Sequence, residues 1–460
     1  MSVHTPKITD TIVALATAQG PGAIAVIRLS GNEAIRIVNE VFFGKNLEKQ
    51  PSHTAHFGTI RDGETIIDEV LVTLFVAPRS YTKEHVVAVS CHGSEYIVQQ
   101  LIRLFLKHGA RRAVPGEFTK RAFRHGQMDL AQAEAVADLI SSNSAMQHQV
   151  ALRQMRGGFS NELKDLRAQL VHFASMIELE LDFGEEDVEF ADRDQLRNLI
   201  FNIQKLLRHL MQSFEMGNVI KEGVPTVIAG KPNAGKSTLL NVLLNEEKAI
   251  VSEIAGTTRD FIEDEISIEG IRFRFIDTAG LRDTTDVVEA MGVERTRQKI
   301  QQAALVVYLF DINTTTPEEL QAELEALQVL DKPLLPVANK TDKTDTATMA
   351  AFEHIPGIVY ISAAEKEGIE ELRQALLQQA KVSNAEPQQG TILTNLRHLH
   401  HLENTYSALD DTLNGLALGL SGDLVAADIR RALRELGAIT GEISTDDLLD
   451  NIFTKFCIGK

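Results

Sequence analysis

The run Val224-Pro-Thr-Val-Ile-Ala-Gly230-Lys231-Pro232-Asn233-Ala234-Gly235-Lys236-Ser237-Thr238 decides how the middle of this chain folds. Val224–Ala229 has the pattern of a short buried strand, and Thr238–Leu244 opens an apolar helix. Between them lies a glycine-bounded loop. A strand, loop and helix in that order supply what a phosphate needs: glycines let backbone N–H groups converge, and the helix N-terminus adds the positive end of its dipole. Lys236 is then placed to reach β- and γ-phosphates and Ser237 to ligate magnesium, with Asn233, Ala234, Gly235 and Thr238 lining the loop. A glycine-rich turn gives the same local pattern, so the residues downstream carry the decision.

The strand pattern Ile271–Ile276 runs into Asp277-Thr278-Ala279-Gly280. A carboxylate at a strand's C-terminal end can hold magnesium through water, and the Gly280 amide can sense a γ-phosphate. Pro333–Ala338 then runs into Asn339-Lys340-Thr341-Asp342, and Ser362-Ala363-Ala364 follows a third such run. Asp342 can accept the N1–H and amino hydrogens of guanine, whereas adenine would set its N1 lone pair against the carboxylate. Ordered motifs at successive strand ends predict an α/β P-loop G domain from about Val224 to Ala380, with guanine as the base. Hydrolysis departs from the Ras pattern, because Leu281 stands where a water-orienting glutamine would follow Gly280. Arg259 in the switch segment, Glu289 in the second switch, or a bound monovalent cation is left to offset the developing charge.

The chain has 460 residues, enough for several domains, and a net charge of −18 that excludes a surface basic throughout. Only Cys91 and Cys457 occur, a usage that fits a reducing cytoplasm. The N-terminus lacks a secretory pattern, no apolar run is long enough to span a bilayer, and Cys457-Ile-Gly-Lys460 is a poor prenylation box. We therefore expect a cytoplasmic protein free of membrane.

Residues 1–120 read as α+β: strands at Thr11–Thr17, Ala23–Leu29 and Val86–Ser90, an Asp62-Gly63 turn between Thr54–Ile60 and Thr65–Val76, and caps at Asn32 and Ser94 for helices Glu33–Phe42 and Glu95–Lys107. Residues 121–220 read as long helices, with seams at Leu163, Leu166, Leu170, Phe173 and Ile177 and at Leu196, Leu199, Ile203, Leu206 and Leu210, broken at Phe183-Gly184. After the G domain (221–380) and the polar linker Lys381–Gly390, helical patterns resume at Thr394–Leu416, Leu424–Leu436 and Thr445–Phe456. Neither helical block is self-sufficient. We expect one discontinuous all-α domain, 121–220 with 381–460, into which the G domain is inserted.

With GKPNAGKS, AGTTRD, DTAGLRD, PGEFTKRAF, DLAQAEA (Asp129–Ala135) and the terminal FCIGK on the page, the chain resembles the tRNA-modification GTPases called MnmE or TrmE over essentially its whole length. The resemblance implies a homodimer that works with a flavin- and NADH-using partner of the MnmG/GidA family as a heterotetramer or larger. Together they would place a carboxymethylaminomethyl or aminomethyl group on C5 of the wobble uridine of certain tRNAs. This chain has no GxGxxG between strand and helix, so flavin would come from the partner. The resemblance further implies potassium held by Asn233 and by Ser252, Ile254 and Thr257, with Thr258 on magnesium, Glu289 orienting water and Arg259 supporting. The N-terminal region resembles folate-binding aminomethyltransferase domains, with the one-carbon unit from 5-formyl- or 5,10-methylene-tetrahydrofolate. Arg28, Glu84 and Lys460 fall on folate contacts, as does Gln127, where the family usually has a base.

From the residues alone Arg28 is a strand-edge charge and Glu84 a loop carboxylate. Cys457 is either a small apolar residue packing a terminal helix or a thiol at the modification centre. Arg430, Arg431 and Arg434 are a tRNA patch or a solvated helix face. A GTP-driven ribosome-assembly switch is the alternative function. Its relatives carry a basic KH-type loop or a second G domain, neither of which is legible here. A folate enzyme merely regulated by GTP leaves the FCIGK tail unexplained.

Overall fold

The structure is a computed structural model that describes residues 10–182, 193–247, 264–276, 303–380 and 391–459. Contacts divide the chain into two compact units, one of Met1–Ile140, Leu152–Ile203 and His401–Lys460, the other of Ser141–Ala151 and Gln204–His400.

In the first unit, strands β1 (Ile12–Leu15), β2 (Gly22–Ser30), β3 (Phe42–Phe43), β4 (Thr54–Asp62), β5 (Thr65–Phe75), β6 (Val86–Gly93) and β7 (Arg111–Arg112) form a seven-stranded sheet in the order β3-β4-β5-β6-β2-β1-β7. All neighbours are antiparallel except β1 and β7. The alternation in β5 explains the one-sided sheet: Val70, Val72 and Leu74 are buried while Leu71 is exposed. Helices α1 (Ala34–Val41) and α2 (Glu95–Lys107) cover the apolar face, α1 through Ala34, Ile37, Val38 and Val41 and α2 through Leu101, Leu104 and Phe105. Each fully buried Val, Ile, Leu or Phe among them contributes about 1.5–3 kcal/mol.

The cap at Asn32 is not formed. Helix α1 starts one residue later than expected, and the Glu33 N–H donates to Thr11 Oγ1 at 3.1 Å, so the residue just before β1 supplies the acceptor. Ser94 does occupy the N-cap of α2, but its hydroxyl makes no capping bond.

Helices α3 (Glu117–Arg124), α4 (Leu130–Ser141), α5 (Ala145–Met155), α6 (Gly158–Asp182) and α7 (Arg193–Glu222) follow, of which α5 up to Ala151 and α7 from Gln204 are counted with the second unit. In α6, Leu163, Leu170, Ala174 and Ile177 are buried, whereas Leu166 and Phe173 are only partly so. In α7 the buried line is Leu196, Ile200, Ile203, Leu207 and Leu210. Leu199 and Leu206, expected on the seam, are only partly buried: the observed line has the same mean spacing but takes its steps as 4-3-4-3 rather than 3-4-3-4, which puts Ile200 and Leu207 inward. The C-terminal helices Gly422–Thr440 and Asp446–Phe453 return to this unit, the first packing along α6 with ion pairs Arg167–Glu442 and Arg430–Glu178. The last helix is capped by Thr445, whose Oγ1 accepts from Leu448 N at 3.3 Å. It docks on α3 and α4 through Leu449, Phe453 and Phe456, with Phe453 as the central ring.

The second unit holds β8 (Val224–Ala229), α8 (Lys236–Glu247), β9 (Asp264–Ile268), β10 (Ile271–Phe275), β11 (Leu305–Asp311), β12 (Leu334–Asn339) and β13 (Val359–Tyr360). These strands make a six-stranded sheet in the order β13-β12-β11-β8-β10-β9, parallel throughout except for the β9–β10 hairpin. Apolar clusters lie on both faces, which is why β11 is buried from Leu305 to Phe310 without alternation. The C-terminal ends of β8, β11 and β12 therefore converge on one edge, where ligands of open parallel sheets bind.

Candidate functional site

The loop after β8 is shaped by two glycines. Gly230 has φ +144°, and a Cβ there would overlap the Leu309 carbonyl oxygen; Gly235 has φ +99°, and its Cβ would overlap the Asn339 side-chain amide. Asn233 also takes a left-handed backbone, φ +63°, which asparagine tolerates, and is exposed. Lys236 Nζ lies inside the loop, donating to Gly230 O at 2.7 Å and Lys231 O at 2.8 Å, and burial lowers its pKa. Ser237 sits beside it in the first turn of α8, half-buried, with Thr238 exposed.

One buried side chain ties three motifs together. Asn339 Nδ2 donates to Ala234 O at 2.7 Å, and its Oδ1 accepts from Ala363 N at 3.0 Å. Asp342 Oδ1 accepts from Ser362 Oγ at 2.7 Å, which leaves Oδ2 without a partner among the described residues. Ala364, next to Ala363, is exposed. Lys340 adopts φ +67° and ψ +37° between Asn339 and Asp342, a left-handed turn that costs a non-glycine residue roughly 1 kcal/mol. A carboxylate braced by a buried hydroxyl, beside a loop of convergent amides and an enclosed ammonium, suits a guanine nucleotide. Ile276 N donates to Thr226 O at 3.0 Å, so the chain is delivered toward Asp277 alongside the P-loop strand. Ser252, Ile254, Thr257, Thr258, Arg259, Asp277, Thr278, Ala279, Gly280, Leu281, Glu289 and Lys460 lie outside the described residues.

Two family models cover the chain outside its ends: "GTP-binding protein TrmE N-terminus" matches residues 11–127 and "MnmE helical domain" residues 130–457. A tRNA modification GTPase MnmE of Cytophaga hutchinsonii is 62% identical over 98% of both chains. Those of Christiangramia forsetii and Bacteroides thetaiotaomicron are 52% and 50% identical, over 99% and 98% of this chain and 100% and 99% of their own. The chain belongs to the MnmE family of tRNA modification GTPases. As an MnmE-family protein it binds GTP and is a GTP hydrolase acting in tRNA modification. No described helix is long and apolar enough to cross a membrane.

The remaining candidates lie in the first unit. Arg28 is half-buried between the Tyr81 and Phe118 rings, about 6 Å from each centroid, and donates to Gly459 O at 3.5 Å; burial lowers its pKa. Glu84 is held inward, accepting from Ser30 Oγ at 2.6 Å and Arg121 Nη1 at 3.1 Å. Arg121 is 4% exposed and joins Asp10 and Glu117, while Arg111 bridges the same two carboxylates. This buried network escaped the sequence reading, although Glu117 and Arg121 at i,i+4 within PGEFTKRAF were its signal. Gln127 is exposed and apart from these contacts.

A cavity of about 640 Å³ opens beside the tail, lined by Leu15, Thr17, Gln19, Ala25, Gln99 and Ile458 among others; neither Arg28 nor Glu84 lines it. Cys457 is exposed, so the packing reading fails, and its carbonyl accepts from Gly116 N at 3.3 Å. Cys91 is the buried one, its thiol pushed up to about 11 by burial and by Asp68. Arg430 pairs with Glu178 and Arg431 with Asp411 at the surface, and Arg434 is exposed, so two of these three arginines already face carboxylates on a solvated helix.

Proposed function

We propose that this protein is a potassium-dependent, cytoplasmic GTPase. With a flavin-dependent MnmG/GidA-family partner, it adds an aminomethyl or carboxymethylaminomethyl group to C5 of the wobble uridine of certain tRNAs. The observation that carries the nucleotide half is the Asn339 side chain, which joins the P-loop to the base-reading loop and to Ala363. In this reading Asn233, Ala234, Gly235, Lys236, Ser237 and Thr238 hold the phosphates, and Asn339, Lys340, Asp342, Ser362, Ala363 and Ala364 hold the base. The hydroxyl of Ser237 and the side-chain carbonyl of Asn233 are hard oxygen donors of the kind magnesium and potassium take. Thr258 would complete the magnesium site, and Ser252, Ile254 and Thr257 the potassium site. Asp277 to Gly280 would sense the γ-phosphate, and Glu289 would orient water, supported by Arg259. A cation by the phosphates supplies the charge that an arginine finger supplies in other GTPases.

For the modification half we propose an α+β domain over 1–120, a discontinuous helical domain over 121–220 and 381–460, and a G domain over 221–380 inserted between its parts. Two subunits would form the dimer. The tail cavity lies within the size range of small-ligand sites, roughly 300–1,000 Å³, and its mixed polar and apolar lining suits a folate derivative. Arg28 would act there through the tail that it holds, with Glu84, Gln127 and Lys460 as further folate contacts. Cys457, exposed at the end of the docked helix, would face the chemistry.

Two measurements test these halves. GTP hydrolysis should be fast in potassium and slow in sodium at equal ionic strength, and Asn233→Ala should remove the difference. Equal rates in the two salts end the cation reading. Loss of the gene should deplete C5-modified wobble uridine, read by mass spectrometry of tRNA nucleosides; an unchanged nucleoside profile ends the modification reading.

A further inference from the structure

The segment that follows β11 carries none of the nucleotide motifs, yet it grips the base-reading loop. Asp311 closes β11 in register with Asn339 on β12. Its Oδ2 accepts from Lys340 Nζ at 2.8 Å, and its Oδ1 accepts from Asn313 N at 3.0 Å and Nδ2 at 3.2 Å. Asn313 Nδ2 also donates to the Lys340 carbonyl at 3.1 Å, and Asn313 Oδ1 accepts from Thr344 Oγ1 at 2.9 Å. Thr344 Oγ1 reaches the same Lys340 carbonyl at 3.1 Å. Lys340 is thus held at its ammonium and at its backbone while it stays left-handed. A left-handed non-glycine residue persists only where its surroundings over-determine it.

We infer that Asp311 and Asn313 are positioning residues for guanine recognition: they lock Lys340 in the turn that aims the Asp342 carboxylate at the base. This deepens the reading of Asn339–Asp342 as the base loop and rests on it. The direction in which Asp342 leaves the turn is fixed by the Lys340 dihedrals, so relaxing Lys340 to the right-handed region swings Asp342 away from Ser362. The Asp311–Lys340 pair is fit for that work, since its side chains are 15% and 32% exposed rather than solvated at a rim. Burial alone would raise the Asp311 pKa, but Lys340 and Asn313 outweigh it and hold the carboxylate below its usual range, ionised at neutral pH. Asp311 is not a catalytic residue; it touches Lys340, not the nucleotide's reacting atoms.

The test uses the full chain with Asp311→Ala and Asn313→Ala, titrated with GDP and with IDP, which lacks the exocyclic amino group. Loss of a charge-assisted hydrogen bond and of the loop's aim should weaken GDP about ten-fold in Asp311→Ala and a few-fold in Asn313→Ala. IDP should weaken less, so that the GDP-to-IDP preference shrinks. KM for GTP should rise with kcat at saturation within about two-fold, as for a group that acts on binding and not on the transition state. Asp311→Asn, which keeps the acceptor for Asn313 but not the charge on Lys340, should fall between wild type and Asp311→Ala.

Unchanged GDP affinity in both alanine variants overturns the proposal. So does a parallel loss of GDP affinity, IDP affinity, kcat and thermal stability, because Asp311 would then serve the fold alone. Asp342→Asn separates the proposal from its premise. If that variant fails to shift preference toward xanthine nucleotides, the base loop is misread; if it shifts while Asp311→Ala changes nothing, only the positioning role is lost.

Discussion

Asp342 and Asn339 divide the base site between them, one reading the nucleotide and the other holding the readers together. The Ser362 hydroxyl braces one Asp342 oxygen, so the other is the acceptor on offer. Asp342→Asn replaces a pure acceptor with an amide that also donates, and the variant should prefer xanthine over guanine nucleotides in competition binding. Retained guanine selectivity would remove Asp342 from the pocket. Asn339→Ala leaves the buried Ala234 carbonyl and Ala363 N–H unpaired, at about 1–3 kcal/mol for each buried group so exposed. GDP affinity should fall at least ten-fold, measured by nucleotide titration. The two cysteines also differ at this scale. An exposed Cys457 and a buried Cys91 with a raised thiol pKa mean that the native protein should react with a thiol reagent at Cys457 alone. Labelling of native Cys457→Ser at the wild-type rate would contradict that burial. The motif residues were legible because each nucleotide group is met by a short segment whose order along the chain is fixed. Asp311 and Asn313 were not, because their partner Lys340 is distant in sequence and meets them only when β11 and β12 pair.

Elements were legible where one face is buried and less so where a partner decides the face. Strands β1, β2, β4, β5 and β6 fall where alternation and the Asp62-Gly63 turn put them. Helix α7 shows the limit: periodicity gives the spacing of the seam but not the order of its three- and four-residue steps, and packing selected Ile200 and Leu207 over Leu199 and Leu206. The cap at Asn32 failed for a like reason, since the Glu33 N–H found Thr11, just before β1. Helix α3 carries the strongest electrostatic consequence. Burial would raise the pKa of Glu117, but Arg111, the Val114 N–H and Arg121 together depress it, and Asp10 is likewise depressed by the same arginines. A carboxylate with a depressed folded pKa contributes stability that is present above its unfolded value, about 4, and lost as pH falls through the folded value. The urea midpoint of the first unit should therefore drop as pH is lowered from about 5 toward 3, the window set by those unfolded values. Glu117→Gln should lower the midpoint at pH 6 and flatten its acid dependence, since breaking a buried pair costs about 3–5 kcal/mol. A variant with the same acid slope as wild type would show that Glu117 is not the group that titrates.

At the scale of the whole molecule, the nucleotide residues that the structure describes belong to one compact unit and the C-terminal tail to the other. No step of GTP hydrolysis calls for a thiol or for the tail's backbone. The tail is nonetheless built into the N-terminal sheet: Gly116 N donates to Cys457 O, Arg28 donates to Gly459 O, and Ile458 lines the cavity beside β1 and α2. The helix before it is anchored independently of the last four residues, through Leu449, Phe453 and Phe456 and through the pairs Lys120–Asp450 and Arg124–Asp446. The tail thus lies on the N-terminal sheet of its own chain. On the function proposed above, removing Cys457–Lys460 should therefore leave the fold and GTP hydrolysis near wild type while abolishing wobble-uridine modification in an assay with the proposed flavin-dependent partner. Cys457→Ser keeps the size and the backbone contact to Gly116 but removes the nucleophile. Loss of modification in that variant assigns the role to the thiol, and retention assigns it to the backbone and Ile458. Full modification by the truncated protein would dismiss the tail from the chemistry. Joint loss of GTPase activity and modification would make it a support of the fold.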